Sequence, residues 1–284
     1  MRRMALTVGV CSAGWIARGE NNMDGRFLSV RNRTGLVIAC ACLLLTGCQS
    51  KPAVPRAESF QIAPGVSLQP IADGVWVHTT YFDLPNYGPC PANGLLVIDA
   101  NEAMLIDLPW TDEQTGVLCD WAAKNHGAQM KVVVPTHFHQ DCMGGLTEAH
   151  RRGATSYGLD KTIKIAREKG LPVPKVSYQL RTMVHCGPTV ALLTFMGPGH
   201  TMDNVVVWLP KQGVLFGGCL IKSVDSQSLG NTADGDLDAY PTTLLKVRSA
   251  YSHAKIVVPG HGDWGGPELI EHTLKLCQGA ESKR

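Results

Sequence analysis

The chain has 284 residues, 44% hydrophobic and 18% charged, with a formal net charge of +2, ten Cys and ten His. At roughly 150 residues per domain this allows one large or two small globular domains and excludes disordered, collagenous and repeat-array chains. With 6% aromatic residues and no Lys/Arg excess, there is no electrostatic footprint for nucleic acid.

The first 47 residues read as an export signal rather than as part of the fold. Arg31 and Arg33 precede an apolar run from Gly35 to Leu45, too short for a membrane span and suited to a signal-peptide core. It ends in Leu45-Thr46-Gly47-Cys48, which resembles a bacterial lipobox, so Cys48 is expected to become the lipidated first residue. A secretory signal cut nearby, leaving a soluble periplasmic protein, is the alternative; in either case the protein is exported. Gln49, not Asp, follows the Cys, which favours the outer membrane. The long stretch before Arg31 makes Met23 a second candidate start. Beyond residue 47 there are 20 Lys+Arg against 22 Asp+Glu, a net charge of −2. Residues 48–65, with Pro52, Pro55 and Pro64, are expected to be a lipidated terminus and tether, and 66–284 one catalytic domain, expected to be monomeric.

From Val66 onward, strand-like and helix-like segments alternate. Gly74–Thr79, Gly94–Ile98 and Ala103–Ile106 read as strands, with Thr80–Asn93 a loop whose apolar Tyr81, Phe82, Leu84 and Tyr87 make it either a cover over a pocket, closing through Tyr81, Phe82 or Tyr87, or a piece packed on the core. Thr111 and Gln114 form a capping-box pattern opening a helix that stops at Gly127. Lys131–Val134 is a buried-type strand; helices are expected over Gly145–Arg152 and Asp160–Lys169. Strands at Thr189–Phe195, Val205–Leu209 and Val214–Phe216 precede helices near Pro241–Ser252 and Pro267–Gln278. The segments Lys131-Val-Val-Val-Pro-Thr-His137 and Lys255-Ile-Val-Val-Pro-Gly-His261 agree at five of seven positions, an echo that predicts an α/β architecture of two similar halves. Both His fall just beyond a strand's carboxyl end, where ligands collect in such folds.

His137, His139 and Asp141 alternate directly after the Lys131 strand and are expected to converge from one side of it. His200 lies in a glycine-flanked turn, Cys219 follows Gly217-Gly218, and His261 lies between Gly260 and Gly262. Imidazoles, a carboxylate and a thiol suit zinc, and six donors exceed what one tetrahedral ion needs, so two Zn2+ are expected.

In THFHQD, GPGHTxDN, FGGCLIKS, LGN and PGHG, in that order, the chain resembles the metallo-β-lactamase superfamily, and more narrowly the first subclass of class B β-lactamases. Cys142 rather than His after Asp141, the presence of Cys219, and His rather than Asn at 137 separate it from glyoxalase-type hydrolases and the other two subclasses. The resemblance implies a four-layer αββα sandwich with the metals at one edge between the sheets. His137, His139 and His200 would hold one zinc, and Asp141, Cys219 and His261 the other. It implies hydrolysis of the β-lactam amide bond of penicillins, cephalosporins and carbapenems by a metal-bound hydroxide, conferring antibiotic resistance. Asp141 would orient the nucleophile, Asn231 would stabilise the oxyanion, and Lys222 would pair with the substrate carboxylate. Asp107 is a candidate brace behind the ligands. Another superfamily hydrolase, such as a thioesterase or lactonase, and a zinc-binding lipoprotein without turnover share the same donors. Cys90, Cys119, Cys142, Cys186 and Cys277 are an odd number, so at least one stays unpaired within the chain; Cys142 reads as a buried free thiol.

Overall fold

Both faces of most strands are apolar, and the reason is visible in how they pack. The computed structural model describes residues 56–85 and 88–281, all within one unit, Ala53–Arg284. The chain forms β1 (Phe60–Ala63), β2 (Val66–Ala72), β3 (Val75–Leu84), β4 (Gly88–Asp99), β5 (Glu102–Ile106), α1 (Asp112–His126) and β6 (Gln129–Val134). Then come α2 (Gln140–Met143), α3 (Leu146–Arg151), β7 (Thr155–Leu159), α4 (Asp160–Lys169), β8 (Val176–Tyr178), β9 (Arg181–Cys186) and β10 (Thr189–Thr194). The second half ends with β11 (Val206–Leu209), β12 (Val214–Gly218), α5 (Tyr240–Ala250), β13 (Ile256–Pro259) and α6 (Glu268–Glu281).

One sheet runs β1 to β8 in sequence order and the other β13-β12-β11-β10-β9. Strand alternation sorts each run into two cores. Leu95, Val97, Met104, Ile106, Val132 and Val134 meet Val207, Val214, Phe216, Ile256 and Val258 between the sheets. The intervening Leu96, Leu105 and Val133 face Leu118, Ala122, Leu146 and Ala149 of α1 and α3. On the far side Leu215 and Val257 pack on Leu244, Val247, Leu269 and Ile270 of α5 and α6. Three cores separate four layers, the expected αββα sandwich.

The sequence echo marks equivalent places. β5-α1-β6 and β12-α5-β13 are each two parallel neighbouring strands joined through a helix, and the repeated segment is the second strand of each. Such units need a crossover helix, and their strands, covered on both faces, read as continuous apolar runs.

Two expectations are corrected. Thr80–Asn93 is not a loop: β3 and β4 stay paired as an antiparallel hairpin with Tyr81 opposite Pro91 and Leu84 opposite Gly88. Pro89 and Pro91 in the second arm disguised it, since Pro cannot donate to a ladder and normally argues against a strand. Phe82 stacks on Trp110 at 5.6 Å, whereas Tyr81 is exposed; Tyr87 lies outside the described residues. The sheet also begins before Val66, because β1 falls in the segment read as tether and pairs with β2. The rest of that tether up to residue 55, the signal and Cys48 lie outside the described residues. Among the described residues no helix is long and apolar enough to cross a membrane.

His78 on β3 is a core histidine: it is 1% exposed, and its Nε2–H donates to the Asp107 carbonyl at 3.0 Å. Burial pulls its pKa down from 6.5 to about 4. The unfolded chain therefore takes up a proton between those values that the folded protein refuses, so stability falls as pH drops through this window. A His78→Gln variant should show a shallower loss between pH 6.5 and pH 4, by up to about 3 kcal/mol, in urea unfolding midpoints.

Candidate metal centre

Every expected donor comes from a segment that has just left a sheet. β6 ends at Val134 because Pro135 has no amide to continue the ladder. The next amide, Thr136 N, donates instead to Asp107 Oδ1 at 2.6 Å, and Thr136 Oγ1 donates to Oδ2 at 2.9 Å. Asp107 follows β5, is fully buried and holds φ +54°, a conformation Asp tolerates better than most residues. The carboxylate therefore joins the ends of two parallel strands, and Thr136 Oγ1 lies 3.2 Å from His137 Nδ1. Asp107 is thus the brace that the sequence suggested.

The convergence of His137, His139 and Asp141 arises differently from strand alternation. After Pro135 the chain bends, and His139 becomes the N-cap of the single turn α2, which carries Asp141. The bend sends the two His to one group and the carboxylate to another. Gly144 closes this turn at φ −58°, so its value is not unusual backbone geometry but room. A Cβ there would lie 2.0 Å from the Trp110 carbonyl oxygen.

In the first group, His137 Nε2 and His139 Nδ1 are 3.1 Å apart. The rings of His137, His139 and His200 pack edge to face with centroids 4.7–5.2 Å apart. Burial lowers the pKa of His137 to about 3 and that of His200 well below the ordinary value, so both keep a free ring lone pair at neutral pH. His139 turns its other nitrogen outward, to Asp234 Oδ2 at 3.0 Å. This partner fixes which nitrogen of His139 faces the group, and nothing in the sequence pointed to it.

In the second group, Cys219 Sγ lies 3.4 Å from both Asp141 Oδ2 and His261 Nε2, and His261 Nε2 is 3.1 Å from Asp141 Oδ2. Cys219 follows the end of β12, and His261 follows β13. His261 Nδ1–H donates to the Pro91 carbonyl at 2.6 Å, which aims Nε2 inward. Hydrogen bonding to Cys142 and the nearby His261 bring the Cys219 thiol down to about 6, against the effect of burial. Burial opposes the charged forms of Asp141 and His261, but the acid is held well below the carboxylate range by His261 and the imidazole well above its own by Cys219 and Asp141. Acid and thiol are thus both shifted toward their ionised, metal-binding forms, and the half-buried imidazole holds a proton that a cation can displace. Asn93, which the sequence did not single out, ties this loop to β4: its Nδ2 donates to the carbonyls of Pro259 (3.1 Å) and Gly262 (2.7 Å).

Lys222 is 8% exposed, and burial lowers its pKa, opposed by the negative charges of Cys219 and Asp141. It reaches toward Gly230, whose Cβ, if it had one, would lie 3.9 Å from Nζ. The neighbouring Asn231 is exposed and touches none of the six donors; its Oδ1 accepts the Ala233 amide at 3.1 Å. Asn231 and Asp234 share one loop, anchored where the Asp236 amide meets the Gly199 carbonyl at 2.9 Å. The histidines without motif context have ordinary surroundings: His150 meets Ser156, His272 the Ser226 carbonyl, and His253 packs on Trp208. Trp264 lies beneath the Arg56 guanidinium at 4.7 Å. Among the described residues no cysteine, Cys142 included, is joined in a disulfide.

The sequence profile of the metallo-beta-lactamase superfamily matches residues 87–261. A metallo-beta-lactamase type 2 of Bacteroides fragilis is 40% identical over 224 residues, covering 79% of this chain and 90% of that protein. The solved metallo-beta-lactamase from Pontibacter korlensis superposes with a TM-score of 0.72 at 39% identity, over 75% of this chain and 99% of that one. The metallo-beta-lactamase FIM-1 from Pseudomonas aeruginosa, solved in a mono-zinc form, gives a TM-score of 0.71 at 36% identity, over 76% and 96%.

The Asp234–His139 contact makes a direct prediction. Asp234→Ala should weaken zinc binding at the three-histidine group by about 10–100-fold in competition with a chelating dye, while leaving the fold intact by circular dichroism.

Proposed function

The chain belongs to the metallo-β-lactamase superfamily, and from that membership and the two donor groups we propose that it hydrolyses the amide bond of β-lactams with zinc as its metal. The observation that carries this reading is the pairing of a largely buried three-imidazole group with a carboxylate–thiolate–imidazole group at the strand ends. Imidazole, thiolate and carboxylate together suit a borderline-soft divalent ion, and both groups are compact enough for direct ligation. We assign one zinc to His137, His139 and His200 and a second to Asp141, Cys219 and His261. The mono-zinc form of FIM-1 makes single occupancy the competing stoichiometry.

Zinc bound there supplies Lewis acidity that polarises a carbonyl and acidifies water. The chain supplies position and charge. Asp141, held ionised, accepts a hydrogen bond from the attacking water and so orients it. The Lys222 ammonium, set in a largely desolvated place, recognises the carboxylate that penicillins, cephalosporins and carbapenems share. Asn231, with Oδ1 committed to its own turn, keeps Nδ2–H as a donor toward the oxygen on which negative charge develops. The β3–β4 hairpin, with Tyr81 exposed, walls the entrance beside His261, to which Pro91 is hydrogen-bonded.

The purified protein should cleave a chromogenic cephalosporin and a carbapenem, lose that activity to a chelator and regain it with zinc. Zinc-loaded protein that cleaves neither would overturn the reading; cleavage of thioesters or lactones instead would mark another hydrolase of the superfamily. Cys219→Ala should lose one zinc and most turnover, whereas Asn231→Ala should cost about tenfold or less, because the metal already stabilises the oxyanion.

Export and lipid attachment at Cys48 complete the proposal, on the strength of Arg31, Arg33, the Gly35–Leu45 run and the Leu-Thr-Gly-Cys sequence. Gln49 supports the outer membrane as the destination, with several acyl chains needed for stable anchoring. Mass analysis of the mature amino terminus should find acylated Cys48; an unmodified terminus would leave a soluble periplasmic enzyme.

A further inference from the structure

Three of the buried cysteines behave as small apolar residues. Cys186 belongs to the core between the sheets, Cys119 to the core beneath α1, and Cys277 to the core beneath α6. Cys142 is equally buried, at 1% exposure, yet it is part of none of these clusters. Its surroundings are polar. Sγ lies 3.2 Å from His137 Nδ1, 3.7 Å from Asp141 Oδ1 and 3.9 Å from Thr136 Oγ1. Its sulfur lies within 4.8 Å of Cys219 Sγ. One donor atom from each of His137, Asp141, Cys142 and Cys219 lies within 4.8 Å of all the others.

Neighbouring ligand atoms around a tetrahedral ion with metal–sulfur bonds near 2.3 Å and metal–nitrogen bonds near 2.0 Å are separated by about 3.3–3.8 Å. The separations of Cys142 Sγ from His137 and Asp141, and of Cys219 Sγ from Asp141 at 3.4 Å, fall close to that range. Two thiols, a carboxylate and an imidazole within 4.8 Å of one another form a softer donor set than the Asp141–Cys219–His261 group, which has one thiol. Soft thiolate ligands select thiophilic ions.

The geometry points to a second coordination mode, resting on the metal-centre reading above, in which a thiophilic ion such as Cd2+ is bound by the thiolates of both Cys142 and Cys219 together with the Asp141 carboxylate. Each thiol loses its proton to solvent as its sulfur–metal bond forms, and no oxidant or reductant is involved. α2 makes this possible, because it places Asp141 and Cys142 on the same short turn, so a small shift of that turn moves both donors together. His137 sits at the junction of the two modes: Nε2 faces His139 while Nδ1 faces Cys142.

The experiment is a titration of the metal-free mature protein, freed of residues 1–47 and with the Cys48 sulfur acylated, with Cd2+ alone, following the ultraviolet sulfur-to-cadmium charge-transfer band, whose amplitude per ion counts bound thiolates against a thiolate–cadmium standard. The wild type should show about two thiolates for one bound ion, Cys142→Ser and Cys219→Ser about one each, and the double variant none. Cys90, a half-buried thiol, is the control, and Cys90→Ser should leave the amplitude unchanged. One thiolate per ion in the wild type overturns the inference, and so does a loss of amplitude in Cys90→Ser rather than Cys142→Ser. The wild-type count stands even if a variant fails to fold, and the cadmium-113 chemical shift of the wild type gives the same count independently. Because the band is read without substrate, a one-thiolate result in an active hydrolase removes this inference alone, and a two-thiolate result in an inactive protein removes only the hydrolytic reading.

Discussion

The Asp107 carboxylate is the contact on which the metal centre depends. It sits at the end of β5, accepts both the amide and the hydroxyl of Thr136 after β6, and so holds two parallel strands in register at the point where the chain must turn to present His137. Its own carbonyl accepts from His78 on β3, across β4, so three strands of one sheet, β3, β5 and β6, are tied to a single buried residue in a left-handed conformation. Burying an acid is costly unless every oxygen is satisfied, and here both oxygens have donors. Backbone strain of this kind gathers at sites that must be held in one geometry.

The same logic recurs at each ligand. His139 is oriented by Asp234, His261 by the Pro91 carbonyl, and the loop carrying His261 by Asn93. A ring nitrogen that is occupied on the outside can point only one way on the inside. The cradle is therefore preorganised by hydrogen bonds that no ion needs to create, and binding energy is not spent on ordering it. Arg56 extends this support to the amino-terminal segment, where it pairs with Asp263 at 2.7 Å and covers Trp264.

Electrostatically the two groups are unlike, which suits distinct roles. Desolvation leaves His137 and His200 neutral, a set of lone pairs without charge. Asp141 and Cys219 are held ionised, so the second group is anionic apart from the proton on His261, and Lys222 nearby balances it. Two neutral imidazoles beside a group richer in negative charge, with Lys222 buried close by, are well matched to holding a cation.

Much of this was legible in the linear sequence, because the information is local. Apolar runs flanked by Pro and Gly announced β5, β6, β12 and β13, and the repeated Lys-x-Val-Val-Pro-x-His segment located the equivalent strand in each half. All six donors carried recognisable motif context, since a ligand must sit in a backbone that can approach an ion closely. What the sequence could not show are relations between distant segments. Asp234 and His139 are 95 residues apart, and Asn93 and Gly262 are 169 apart; such pairs exist only once the sheets have packed. The β3–β4 hairpin was hidden for a related reason, since the ladder that holds its prolines in register is a property of two chains side by side. The sequence by itself determined which side chains could bind a metal, because donor chemistry belongs to residue type. Only the tertiary structure decided which partners orient each donor and that Cys142, buried like any core thiol, faces polar neighbours, because both follow from where the strand ends meet.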